Sequence, residues 1–394
     1  MTSSRLAVLG GTPRFSEKLY VGRPNVGNRE RLLVRINEML DRRWFSNNGQ
    51  LVQEFEAELA RYLGVKHCVA VCNATIALEL VVRALGITGE VIVPSFTFIA
   101  TAHCLQWQGI TPVFCDVDPK NHLMDPGRIE ELITPRTGGI MGVHVWGQGC
   151  NIEALAEIAE RRGLPLLFDA AHAFGCTHKG QMIGNFGRAE VFSFHATKFL
   201  NSFEGGAVAT NDDDLAAKAR LMKNFGFAGY DKVVFIGTNG KMSEPCAAMG
   251  LTSLESVEEF IEVNCANYAH YHETLAGITG ITVFAYDPAE RNNCQYVVLE
   301  VDEERCGISR DLLVRALWGE NVMARRYFYP GCHQMEPYRT LFPEAGKGLP
   351  ETEKLCKKTL ILPTGTAIGA KHIETIGEIV REAVGAADAL KRLA

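Results

Sequence analysis

From residue 52 onward the chain alternates short, almost wholly apolar runs with longer amphipathic stretches, joined by a few polar residues or glycines. The apolar runs at 67–72, 90–94, 111–116, 139–145, 164–169, 189–193 and 206–210 read as strands, most of them buried on both faces. Between them, apolar residues recur at helical spacing over 52–63, 75–85, 100–108, 152–161 and 212–224. Strands and helices in alternation, with short connections, predict an α/β fold whose central sheet is mostly parallel and covered on both sides.

Before residue 50 the sequence is arginine-rich and irregular, apart from an amphipathic helix expected over 29–42. Helical signal dominates 243–275 and reads as one long connecting element. Strands at 282–284 and 295–301, a helix at 309–318, a loop over 327–350 and a terminal helix from 370 to 390 follow. The compact strand–helix rhythm ends near 255–263. That predicts an N-terminal segment with a large domain over 1–258, and a smaller C-terminal α/β domain over 259–394. The loop over 327–350 is long for a passive connection, and loops of that length are often functional.

With 394 residues, 47% of them hydrophobic, the chain can bury two cores. A formal net charge of −6 argues against a nucleic-acid partner, although local arginines can still hold a phosphorylated small molecule. The 12 cysteines form no CxxC pair and lie mostly inside apolar runs, which fits reduced thiols in a cytoplasmic protein. Cys68 and Cys72 have a spacing that can reach a metal on a turn, but they fall in a strand-like run, and no metal site is expected. No apolar run approaches the roughly 18 residues of a membrane span, so a soluble protein without a membrane partner is expected.

Three groups follow expected strands and can converge where parallel strands end, the usual ligand crevice of open α/β sheets. The first is Asn73-Ala74-Thr75, at the start of a helix; it suits a phosphate, or ordinary capping by Asn73 or Thr75. The second is Asp169, which can hold a ring nitrogen protonated or merely cap a helix; with His172 it lacks a third metal ligand nearby. The third is Ser193 to Lys198. Lys198 can form an imine with an aldehyde if its pKa is lowered, or it is a surface lysine after a strand. Downstream, Glu204-Gly205-Gly206 can carry the chain tightly past a bound ring.

Taken as an ordered set, five stretches resemble the DegT/DnrJ/EryC1/StrS sugar aminotransferases, a family of fold-type I pyridoxal phosphate enzymes that act on nucleotide-linked keto sugars. They are Pro94-Ser95-Phe96-Thr97-Phe98-Ile99-Ala100-Thr101, Asp169-Ala170-Ala171-His172-Ala173-Phe174-Gly175, Ser193-Phe194-His195-Ala196-Thr197-Lys198, Glu204-Gly205-Gly206-Ala207 and Gly237-Thr238-Asn239-Gly240-Lys241-Met242. The resemblance runs from about residue 20 to 375. It implies pyridoxal 5′-phosphate as cofactor, with pyridoxamine 5′-phosphate as the intermediate form. Lys198 would bond to the cofactor and move protons, and Asp169 would pair with the pyridine nitrogen. Phe98 would stack on the ring, and His172, where many relatives have glutamine, would sit near the phenolic oxygen. The Ala74 amide, Thr75 and Ser193 would hold the phosphate, with Asn239 reaching it from a neighbouring subunit of a homodimer. Asn239-Gly240 is also a strong local turn signal, and the two roles can coexist.

The run Met323-Ala324-Arg325-Arg326-Tyr327-Phe328-Tyr329-Pro330-Gly331-Cys332-His333 mixes cations with aromatics, which can clamp a diphosphate and flank a base or sugar. Arg325, Tyr327, Tyr329 and His333 are the expected substrate contacts. This run looks closest to enzymes that aminate C4 of a dTDP-4-keto-6-deoxyhexose, with L-glutamate as donor. The nearest rival is a C3 aminotransferase on a 3-keto sugar. A sugar dehydratase is disfavoured because such relatives replace the lysine by histidine. A pyridoxal phosphate-binding regulator without turnover is disfavoured by the retained Lys198 and Asp169. A nucleotide-dependent enzyme without pyridoxal phosphate would need a GxGxxG or GxxxxGK[ST] loop, and the chain has neither.

Overall fold

A computed structural model describes residues 6–393. Residues 1–5 of the expected first unit lie outside the described residues. Seven strands form the large sheet: β1 (His67–Val71), β2 (Glu90–Pro94), β3 (Thr111–Cys115), β4 (Thr137–Val143), β5 (Leu166–Asp169), β6 (Glu190–Ser193) and β7 (Gly206–Thr210). Their order is β1-β7-β6-β5-β4-β2-β3. Only β7 runs antiparallel to its neighbours. The expected strands are all present, within a few residues at their ends.

Helices cover both faces. On one side α1 (Arg29–Arg42), α2 (Gln50–Leu63) and α7 (Glu244–Glu255) contribute to a core that includes Phe55, Leu59, Phe192, Phe194 and Leu251. On the other, α3 (Ala74–Ala84), α4 (Ala100–Gln106) and α6 (Asp213–Met222) pack over Val71, Val91, Val93 and Val191. A further cluster places α5 (Ile152–Arg162) over Ile92, Ile140 and Phe168. Gly49 offers α2 no side-chain cap. Glu244 supplies it from a distance, accepting from the Leu51 and Val52 amides at 3.0 and 2.9 Å and so locking α7 to α2.

The element expected over 243–275 is two helices, α7 and α8 (Val257–Leu275), broken at Ser256 (φ −106°, ψ 10°). The Ser256 amide bonds back to the Ser253 carbonyl, while its own carbonyl accepts from Phe260, so one residue ends the first helix and starts the second. Val257, Phe260 and Ile261 of α8 pack into the large core, whereas Tyr271 and Leu275 enter a second core. That second core surrounds β8 (Ile281–Val283), β9 (Val297–Val301) and β10 (Thr359–Leu362), paired in that order, with α9 (Arg310–Gly319) and α10 (Ala370–Gly385) against them.

Leu6 and Leu19 also belong to the second core, and Leu19–Tyr20 pairs in parallel with Val322–Met323. We therefore propose the division at residue 258 with one amendment: residues 6–20 pack with the C-terminal unit. The stretch expected as a loop over 327–350 holds short turns of helix at Cys332–Gln334, Tyr338–Leu341 and Ala345–Gly348. Segments of three or four residues are too short to show a period. Among the described residues no helix is long and apolar enough to cross a membrane.

Candidate active site

The sequence-predicted groups meet at the C-terminal edge of the parallel strands. In register, Gly206 lies between Val71 of β1 and Ser193 of β6, so the start of α3 and the end of β6 stand side by side. Asp169 closes β5, one strand further along. Asn73 caps α3 by accepting from the Ile76 amide at 2.9 Å, which leaves the amides of Ala74 and Thr75 without an acceptor in the helix. Such an N-terminus suits an anion.

Gly206 is required here by the close approach of another backbone segment. Its φ is not in the left-handed region, and a Cβ on it would lie 2.6 Å from the Ala74 nitrogen and 2.8 Å from the Asn73 carbonyl carbon. The glycine lets β7 pass directly behind the amides of α3.

Asp169 is buried. Its Oδ2 accepts from Thr101 Oγ1 at 2.8 Å and its Oδ1 from the Ala171 amide at 3.1 Å. Burial pushes its pKa up, and these two hydrogen bonds, with the charge of Lys198, only partly offset that. Among the described residues no salt bridge reaches it. A buried carboxylate without a paired cation fits the protonated nitrogen of a pyridine ring, which would supply the missing charge.

Lys198 follows β6 in a turn whose amide bonds the His195 carbonyl at 2.8 Å. Its surroundings push its pKa down to about 8, chiefly by burial, with Tyr327 and Asp169 opposing. A pKa lowered this far brings the neutral, nucleophilic form of the amine within reach at mildly alkaline pH, which an ordinary surface lysine does not offer. Its Nζ donates to Tyr296 Oη at 3.1 Å. Tyr296 was not legible in the sequence: it ends a polar run, Asn292-Asn293-Cys294-Gln295, with no motif.

His172 is buried, its ring 4.5 Å from that of Tyr296, and Trp146 donates its amide to Nδ1 at 3.4 Å. Burial and the nearby Lys198 charge hold it well below the usual histidine pKa, so it is neutral. Asn239 is exposed, and its Oδ1 accepts from Lys241 Nζ at 2.7 Å.

Beside these groups lies a cavity of about 460 Å³ lined by Phe98, Arg325, Arg326, Tyr327 and Tyr329, together with Tyr20 and Trp318. Arg325 stands over the Tyr327 ring at 5.3 Å and is fixed by a backbone pair with Ile361 of β10 (3.1 and 2.8 Å). Arg326 stands over Tyr329 at 4.9 Å and Trp318 at 5.9 Å. Tyr20 comes from a segment remote in sequence and Trp318 from the end of α9, and no local signal marks either. His333 is not among the lining residues. It is buried, with Nδ1 2.7 Å from Ser95 Oγ and Nε2 3.6 Å from Glu353, and it braces the loop against the end of β2.

Residues 27–381 match the model of the DegT/DnrJ/EryC1/StrS aminotransferase family. The chain belongs to that family. Among its relatives is the dTDP-4-amino-4,6-dideoxy-D-glucose transaminase of Shigella dysenteriae, 37% identical over 368 residues that cover 93% of this chain and 100% of the relative. The GDP-perosamine synthase of Caulobacter vibrioides is 35% identical, covering 91% of this chain and 96% of its own. A crystal structure of DesI, solved in the presence of its TDP-sugar product, superposes with a TM-score of 0.94 at 48% identity, over 99% of each chain. The large, mostly parallel sheet with a smaller C-terminal sheet is thus the family's aminotransferase fold.

Proposed function

We propose that the protein transfers an amino group from L-glutamate to the C4 keto group of a dTDP-4-keto-6-deoxyhexose, giving a dTDP-4-amino-4,6-dideoxyhexose, with pyridoxal 5′-phosphate as resident cofactor. One observation carries the reading: a lysine with a lowered pKa, a buried unpaired carboxylate and the open N-terminus of α3 share one edge of the sheet, beside a cavity lined by cations and aromatics. The relatives named for a 4-amino sugar and a TDP-sugar product support dTDP and C4; the GDP-linked relative makes the base a point to test.

Bound, the cofactor supplies an electron sink and carries the amino group from donor to sugar. The Ala74 and Thr75 amides and the Thr75 and Ser193 hydroxyls would hold its phosphate, with Asn239 of a second copy. Asp169 would pair with the ring nitrogen and Phe98 would cover the ring. Neutral His172 offers a hydrogen bond without adding charge. Lys198 acts through Nζ: as a neutral amine it takes a proton from the donor's α-carbon, and as the ammonium it returns one. Arg325 and Arg326 would clamp the sugar nucleotide's diphosphate while Tyr327 and Tyr329 flank it.

A homodimer is supported by apolar side chains left exposed on α1 and beyond it (Leu33, Val34, Leu40, Trp44, Phe45) and on the segment that carries Asn239 (Phe225, Phe227, Val233, Ile236). Twelve free thiols support a reducing, cytoplasmic setting. The reading is tested with ¹⁵N-glutamate and a dTDP-4-keto-6-deoxyhexose: 2-oxoglutarate should form in step with label in the sugar. Oxoacid formation without labelled sugar would remove it.

A further inference from the structure

The carboxylate whose charge acts on Lys198 is Asp169, yet among the described residues no salt bridge joins the two. The amine turns instead to a neutral phenol, Tyr296 Oη, at 3.1 Å, with Nζ 5.7 Å from the ring centre. That phenol is held rigidly. Tyr286 Oη donates to the Tyr296 carbonyl at 2.6 Å, and the ring packs against His172 at 4.5 Å and Trp146 at 5.3 Å. Just upstream, Asn293 and Gln295 both donate to the His172 carbonyl, at 2.9 and 2.6 Å, so Tyr296 and His172 are fixed relative to one another.

We propose that Tyr296 is a positioning residue that receives the Lys198 amine whenever it is not covalently engaged, holding Nζ beside the reaction cleft and off Asp169. The consequence is a division of charge. Were Lys198 to pair with Asp169, the carboxylate would be neutralised by the lysine and lost to its own partner each time the amine was released. A phenol at hydrogen-bond distance offers the ammonium an acceptor without consuming that carboxylate. A hydrogen bond to a charged group is stronger than one between neutral groups, so Tyr296 favours the ammonium over the free amine. The role in amino transfer rests on the proposed function; the pairing of Lys198 with Tyr296 does not.

The test is a ¹³C titration of the full-length apoprotein labelled at lysine Cε, with the Lys198 signal assigned by its loss in Lys198→Arg. Wild type should titrate near 8. Tyr296→Phe keeps the ring packing and removes the acceptor, and should lower the midpoint by roughly half a unit or more. Replacing Tyr296 with 3-fluorotyrosine keeps the hydroxyl but weakens it as an acceptor, and should give a smaller shift in the same direction; that variant alone decides if the phenylalanine variant does not fold. Borohydride trapping of pyridoxal 5′-phosphate on wild-type Lys198 tests the proposed function separately, since its failure would leave the titration result standing. A midpoint unchanged or raised in a folded variant would overturn the assignment.

Discussion

Thr101 donates its hydroxyl to Asp169 Oδ2 at 2.8 Å, and Thr97 Oγ1 lies 3.0 Å from Thr101 Oγ1. The turn that carries Phe98 into the cavity therefore also orients the carboxylate two strands away. Asp169→Asn keeps the shape but removes the charge, and should lower kcat/KM by roughly 100-fold or more. Thr101→Val, which removes one hydrogen bond to a charged acceptor, should cost about tenfold. Steady-state kinetics on both variants checks the order; equal losses would mean that orientation alone matters.

Lys198→Ala should abolish transfer while still binding pyridoxal 5′-phosphate non-covalently. Spectral titration with the cofactor, followed by borohydride reduction and peptide mapping, reads this out: wild type should retain the label at Lys198, and the variant should lose it on dialysis. The pH dependence has a definite sign. Below about 8 the amine is protonated and unreactive, and above it neutral, so the rate at which apoprotein captures an aldehyde should rise with pH and level off above about 8. An unperturbed lysine would keep gaining rate to beyond roughly pH 10.

Arg325→Ala should impair use of the nucleotide sugar by about ten- to 100-fold and leave the glutamate half-reaction intact. Stopped-flow absorbance of each half-reaction separates the two. Equal impairment of both would show that Arg325 acts on the shared machinery.

His172→Gln should retain activity within about tenfold, because a neutral imidazole and an amide both offer a hydrogen bond without charge. Its pH–rate profile between 6 and 8 should match wild type, since His172 is held neutral there. A lost acid limb would mean that the imidazolium takes part.

The strands and the meeting of Lys198, Asp169 and Thr75 at one sheet edge were legible because both have local signatures: buried strands are continuous apolar runs, and these three residues each lie at or just past the end of one. What escaped lies where meaning is set by tertiary contact. Tyr296 becomes a partner of Lys198 only because side chains from Asn293 and Gln295 tie its segment to His172. Strand β10, four residues at Thr359–Leu362, follows a helix ending in Lys357-Lys358 without a turn signal, and is defined by its pairing with β9. His333 shares its run with Arg325 and Tyr327, but a turn of 3-10 helix at Cys332–Gln334 carries it behind the cavity wall to Ser95.

The central claim is amination at C4 of a dTDP-linked sugar. The most direct measurement is NMR of the product formed from ¹⁵N-glutamate and dTDP-4-keto-6-deoxyglucose by the purified, cofactor-loaded protein. The expected result is a ¹⁵N coupling to the C4 carbon and proton of an intact dTDP-hexose. Label at C3, or no labelled sugar while the GDP-linked analogue is aminated, would contradict it.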